Sequence, residues 1–101
     1  MEQIRLFEKS FVNEEKAYNL EYFLLIHSAE QGEVYGVSVV KTDDAGDKEA
    51  EQVTGLCESR EDAEQFLCRL TENLALPVEL TALCDDYIAE KESTAEQKMV
   101  M

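Results

Sequence analysis

Apolar residues recur at period two in the first half of the chain and at helical spacing in the second. Gln3 to Val12 carries Ile4, Leu6, Phe7, Phe11 and Val12 between charged residues and reads as a first strand. Asn13-Glu14-Glu15-Lys16 is a polar connection. Tyr18 to Ser28 gives the clearest strand, because Tyr18, Leu20, Tyr22, Leu24 and Ile26 alternate and define one face. Ala29 to Glu33 is a turn, with Gly32 supplying the permissive backbone. Val34 to Lys41 is a β-branched run and a third strand. Thr42 to Asp47 turns again. Lys48 to Leu56 is a more polar strand, suited to an edge.

The period changes at Ser59-Arg60-Glu61-Asp62, which opens a helix. Ser59 can accept from a backbone N–H three residues on, and Asp62 stands where a capping box usually has Glu or Gln. Ala63, Phe66, Leu67, Leu70 and Leu74 form its stripe. Pro77 is expected to stop it, lacking an N–H and biasing Leu76 away from helical geometry. A second helix begins near Val78 or Glu79, with Leu80, Leu83, Cys84, Tyr87 and Ile88 on its stripe. Short connections favour an antiparallel meander. The expected fold is therefore α+β: a three- to four-stranded meander, then two helices packed on one face, in the order ββββαα. The domain is expected over residues 1–91, with a frayed tail over 92–101.

One run does not fit a one-sided sheet. Tyr22-Phe23-Leu24-Leu25-Ile26 is apolar at both parities. If Tyr22, Leu24 and Ile26 meet the helices, Phe23 and Leu25 face the other way. Val37 and Val39 join that second side, or else Gly36 and Val40, according to register. Both helices are needed on the first face. Phe23, Leu25, Val37 and Val39 are thus the expected interface for a protein partner, with a homodimer as the first candidate. The competing reading is partial cover by strand twist, side chains and the N-terminus.

Charge narrows the partners. Asp and Glu number 23 against 9 Lys and Arg, a formal charge of -14. Such a surface repels nucleic-acid phosphates and anionic membranes, so neither is an expected partner, and it steers basic proteins inward. The 101 residues fit one domain. The longest apolar run is far too short to span a bilayer. The N-terminal stretch interrupts its apolar residues with charge, unlike a signal peptide. Cytoplasm is the expected compartment, and Cys57, Cys68 and Cys84, without a C-x-x-C pair, are expected to be reduced.

Candidate chemistry is sparse. His27, the only histidine, would need a cysteine beside it to act as a base in a hydrolase. Zinc would need ligands in closely spaced pairs, and the three cysteines stand far apart along the chain. Asp43-Asp44-Ala45-Gly46-Asp47 resembles part of a calcium loop but lacks its closing glutamate and joins strands, so a hairpin turn is expected. Asp85-Asp86 lies on the solvent side of the last helix. Cys84 belongs to the apolar stripe, and Cys68 is the thiol expected to be accessible. No catalytic residue, cofactor or metal site is expected.

The stretches Tyr35-Gly36-Val37-Ser38-Val39, Val53-Thr54-Gly55-Leu56, Ser59-Arg60-Glu61-Asp62-Ala63-Glu64, Leu76-Pro77-Val78-Glu79-Leu80 and Cys84-Asp85-Asp86-Tyr87-Ile88 resemble a family of small proteins of unknown function found chiefly in clostridia-like Firmicutes. The resemblance covers residues 18 to 89. It implies a bacterial, cytoplasmic setting and the strand-then-helix order. It brings no activity, ligand or catalytic residue. The function expected from the sequence is that of a small non-enzymatic interaction or regulatory protein. The alternatives are an acidic inhibitor that mimics nucleic acid on a basic partner, or a small-molecule-binding domain with a pocket between sheet and helices.

Overall fold

The structure, a computed structural model, describes residues 1–100, with side chains to residue 90. Its elements are β1 (Glu2–Asn13), β2 (Lys16–Ala29), β3 (Gly32–Asp43), β4 (Lys48–Cys57), α1 (Arg60–Glu72), a 3₁₀ turn (Pro77–Glu79) and α2 (Leu80–Val100). The strands form one open antiparallel sheet in the order β1-β2-β3-β4. This is the expected α+β meander, with four strands and β4 at an edge. The tail expected over 92–101 lies outside the residues described in full.

The turns follow local chemistry. Glu14 and Glu15, the two residues between β1 and β2, both have positive φ, 52° and 68°. A type I′ hairpin turn demands this of its two central residues and ordinarily uses Asn-Gly for it. Between β3 and β4, the Asp43 carboxylate accepts from the backbone N–H of Ala45 at 3.0 Å and of Asp47 at 2.9 Å. The acidic run Asp43 to Asp47 therefore builds its own turn, as expected.

Two bulges shape the sheet. In β1 the register shifts between Arg5 and Phe7, leaving Leu6 as the extra residue. This accounts for the Leu6-Phe7 doublet, which breaks strict alternation without turning the strand over. In β4 the register passes from Tyr35↔Cys57 to Val37↔Val53, so Thr54 to Leu56 stand opposite Gly36 alone. A β-carbon at Gly36 would overlap the Val53 carbonyl oxygen and lie 2.9 Å from the Thr54 α-carbon. The β4 backbone arches over that spot, and only a residue without a side chain can sit beneath it.

Ser59 caps α1, its hydroxyl accepting from the Asp62 N–H at 3.2 Å. Glu61 and Asp62 face the positive end of the helix dipole. Ala63, Phe66, Leu67 and Leu70 of α1, and Leu80, Cys84 and Tyr87 of α2, join Leu20, Tyr22, Leu24, Ile26, Val37 and Val39 in one core. Both helices thus cover the same sheet face. The Phe66 and Tyr87 rings stack with centroids 4.6 Å apart and tie the helices together. Tyr22, fully buried, donates its hydroxyl to the Ala75 carbonyl at 3.0 Å and pins the inter-helix loop to the sheet.

Three helix expectations are corrected. Leu74 is off the stripe: it has φ of 50° and is 39% exposed. The Ala75 N–H reaches the Leu70 carbonyl at 2.9 Å and the Leu74 N–H reaches that of Thr71 at 3.2 Å. That pattern is a Schellman motif, with Leu74 in the left-handed position usually held by glycine. It ends α1 before the proline is reached. Pro77 instead opens the 3₁₀ turn leading into α2, where its missing N–H costs nothing. Ile88 is 40% exposed, so the α2 stripe leaves the core after Tyr87.

Candidate functional site

Ladder partners share a face. Leu24 pairs with Val37 and Tyr22 with Val39, which places Val37 and Val39 beneath the helices. Of the two registers open to the sequence, the one that sends Val37 and Val39 outward, and with it their place in the expected interface, is corrected by the pairing. Leu25 pairs with Gly36, Phe23 with Ser38 and Glu21 with Val40, so the alternative set, Gly36 and Val40, is the outer one. The deciding signal is turn length. A two-residue turn at Glu30-Gln31 pairs Ala29 with Gly32 and fixes every later pair, whereas a longer turn leaves the parity open.

Among the described residues both helices pack on the opposite face, and only the β4 arch crosses this outer one, at Gly36. Phe23, Val34 and Val40 remain half-buried on it. Leu25 is only 1% exposed; it sits beside Gly36, where β4 arches over the sheet. Ser38 is also buried. The exposed part of the strip is therefore smaller than the pattern suggested. Its β1 flank is polar. Arg5 donates to Glu21 at 3.1 Å and to Glu8 at 3.4 Å, Asn19 donates to Glu8 at 3.2 Å, and Ser10 donates to Asn19 at 3.0 Å. An apolar centre with a hydrogen-bonded polar rim has the anatomy of a protein contact.

The other candidates separate in space. His27 pairs with Val34 and is exposed on the outer face, whereas Cys57 pairs with Tyr35 and packs toward the helix-side core. The sheet stands between them. Cys84 is buried, and burial first, then nearby Asp85, pushes its thiol up to about 11. Cys68 is exposed and donates to Glu72 at 3.6 Å. Asp85 and Asp86 are exposed on α2. Among the described residues, no three His, Cys, Asp or Glu side chains converge to hold a metal ion. No helix of the described residues is long and apolar enough to cross a membrane.

A groove of about 270 Å³ opens between α1 and α2. Phe66, Leu70 and Tyr87 line it, with Arg69, Asn73 and Asp86 at its edge. Phe66 and Tyr87 are themselves buried, so the groove offers little aromatic surface to a ligand.

These features define a two-layer α+β protein with one helix-covered sheet face and one open one. A family model matches residues 2–90, and the chain belongs to that family, a family of unknown function (DUF6514). No curated protein and no solved structure matches the chain.

Proposed function

We propose that this is a non-enzymatic interaction or regulatory protein of a bacterial cytoplasm that engages a protein partner through the outer face of its sheet. One observation carries the reading: on a face that no helix covers among the described residues, Phe23 and Val40 stay half-buried beside a polar rim, with half-buried Val34 on the other side of the β4 arch. The charge of -14 adds a preference for a partner with a basic rim, which electrostatic steering would bring in quickly. Affinity capture from native lysate, comparing wild type with Phe23→Glu, tests it. The variant is expected to melt with a wild-type transition and to lose one or more specific partners. Recovery of the same proteins by both would refute docking on this face. Retention of the partner by Phe23→Glu, with release by moderate salt, would favour an acidic mimic of nucleic acid instead.

A further inference from the structure

The sheet is open at both edges, and the two edges differ. β4 is bent by its three-residue arch, carries the exposed acids Glu49 and Glu51, and has α2 and the 3₁₀ turn packed along it. These are the devices by which proteins blunt an edge. β1 has twelve residues, a single-residue bulge and no proline, and α1 packs against it. Its helix-side residues Ile4, Phe7 and Phe11 are half-buried at the rim of the core, with Leu6 beside them. They form an apolar shoulder along the free edge that the monomer covers only in part.

The charge pattern of β1 selects the occupant. In a chain of charge -14, this strand carries Glu2, Arg5, Glu8 and Lys9 and is neutral. Its helix-side row reads Glu2, Ile4, Phe7, Lys9, Phe11, because the bulge keeps Phe7, Lys9 and Phe11 on the side of Ile4. Reversed against itself, the stretch from Glu2 to Lys9 matches: acid meets base at both of its ends and apolar meets apolar in the middle, with Phe11 beyond the overlap. Shifting the pairing by two residues would set Glu2 against Phe11 and Ile4 against Lys9, charge against hydrocarbon.

We propose that a second copy of this chain pairs antiparallel along β1, Glu2 of each copy facing Lys9 of the other and Ile4 facing Phe7. The two-fold axis stands perpendicular to the sheet, so the contact is isologous. The product is one eight-stranded sheet with all four helices on one side. Each copy covers Ile4, Leu6 and Phe7 of the other's shoulder, Phe11 lies beyond the paired stretch, and the outer face doubles in extent. Main-chain hydrogen bonds supply the affinity and the side-chain row supplies the register.

Sedimentation velocity across the micromolar range, at physiological salt, tests this with charge swaps. Glu2 and Lys9 are exposed, so the variants are expected to fold and melt as wild type does. Wild type is expected to be a dimer. Lys9→Glu and Glu2→Lys should each weaken dimerisation about tenfold, since each turns two attractive cross-strand pairs into repulsive ones. The double swap should restore it. Phe23→Glu should leave dimerisation unchanged, which separates this contact from docking on the outer face. A strict monomer, a dimer indifferent to the single swaps, a double swap that fails to rescue, or a dimer broken by Phe23→Glu alone would each overturn the proposal.

Discussion

Tyr22 does two jobs with one side chain. Its ring belongs to the core, and its hydroxyl satisfies the Ala75 carbonyl in a buried position. Burial, with Glu79 nearby as the lesser cause, pushes the phenol up to about 12 from its ordinary 10. The folded state thus holds this proton more tightly than the unfolded chain does. The resulting stability is fully present below pH 10 and is lost as pH rises toward 12. Wild-type protein is expected to show a steep fall in denaturation midpoint across that window. Tyr22→Phe should cost about 1–2 kcal/mol at neutral pH, by orphaning the carbonyl, and should flatten the alkaline fall. Chemical denaturation at pH 7, 10 and 11 checks both. The cysteines give a second residue-scale expectation. Cys68 should react with a thiol reagent in the native state, while Cys84 should stay protected until the protein unfolds. Labelling followed by mass spectrometry reads the order; equal rates would contradict the core position of Cys84.

At the scale of elements, two connections sit in backbone conformations that their residues resist. Leu74 holds the left-handed position of the Schellman motif, and Glu14 and Glu15 hold the two positive-φ positions of a hairpin turn. Leu74→Gly is expected to stabilise the protein by about 0.5–1 kcal/mol, less whatever burial Leu74 contributes. Glu14→Asn with Glu15→Gly should add about 1 kcal/mol or more, since Asn-Gly suits this turn. Thermal melting decides each; a lower melting temperature in either would contradict the assigned turn geometry. These same positions show what was legible. Ser59 and the spacing from Ala63 to Leu70 announced α1 because a cap and a stripe are local signals. The end of α1 was not legible, because Leu74 continues the stripe in sequence while its backbone has already left the helix. The β1 bulge was hidden for the same reason, since nothing in Leu6-Phe7 states which residue is extra. The outer face was half legible. Phe23 and Leu25 followed from alternation within one strand. The side taken by Val37 and Val39 is set by the pairing between strands, which the two-residue length of the Glu30-Gln31 turn fixes.

For the whole molecule, charge is the dominant unspent term. A net charge of -14 on 101 residues destabilises the compact state through self-repulsion. Among the described residues a few exposed pairs offset it, such as Arg60 with Glu64 at 3.0 Å. Raising ionic strength from about 0.01 to 0.15 M shortens the screening length from about 30 to 8 Å. The melting temperature should therefore rise with salt over that range, and calorimetry at several salt concentrations measures it. A flat or falling response would mean that the acids are spread too thinly to repel. The same screening should favour pairing of two such chains at the neutral strand β1.

The arch of β4 over Gly36 bears on how the sheet finds its alignment. Only one position in β3 can pass beneath the Val53 carbonyl, and its neighbours Tyr35 and Val37 both carry side chains that cannot. A slip of one residue in either direction would drive a ring or an isopropyl group into backbone. The glycine therefore acts as a keyhole: β3 and β4 can close in a single alignment, and that alignment also sends Val37 and Val39 toward the helices. A gap where a side chain would be is what proofreads this hairpin.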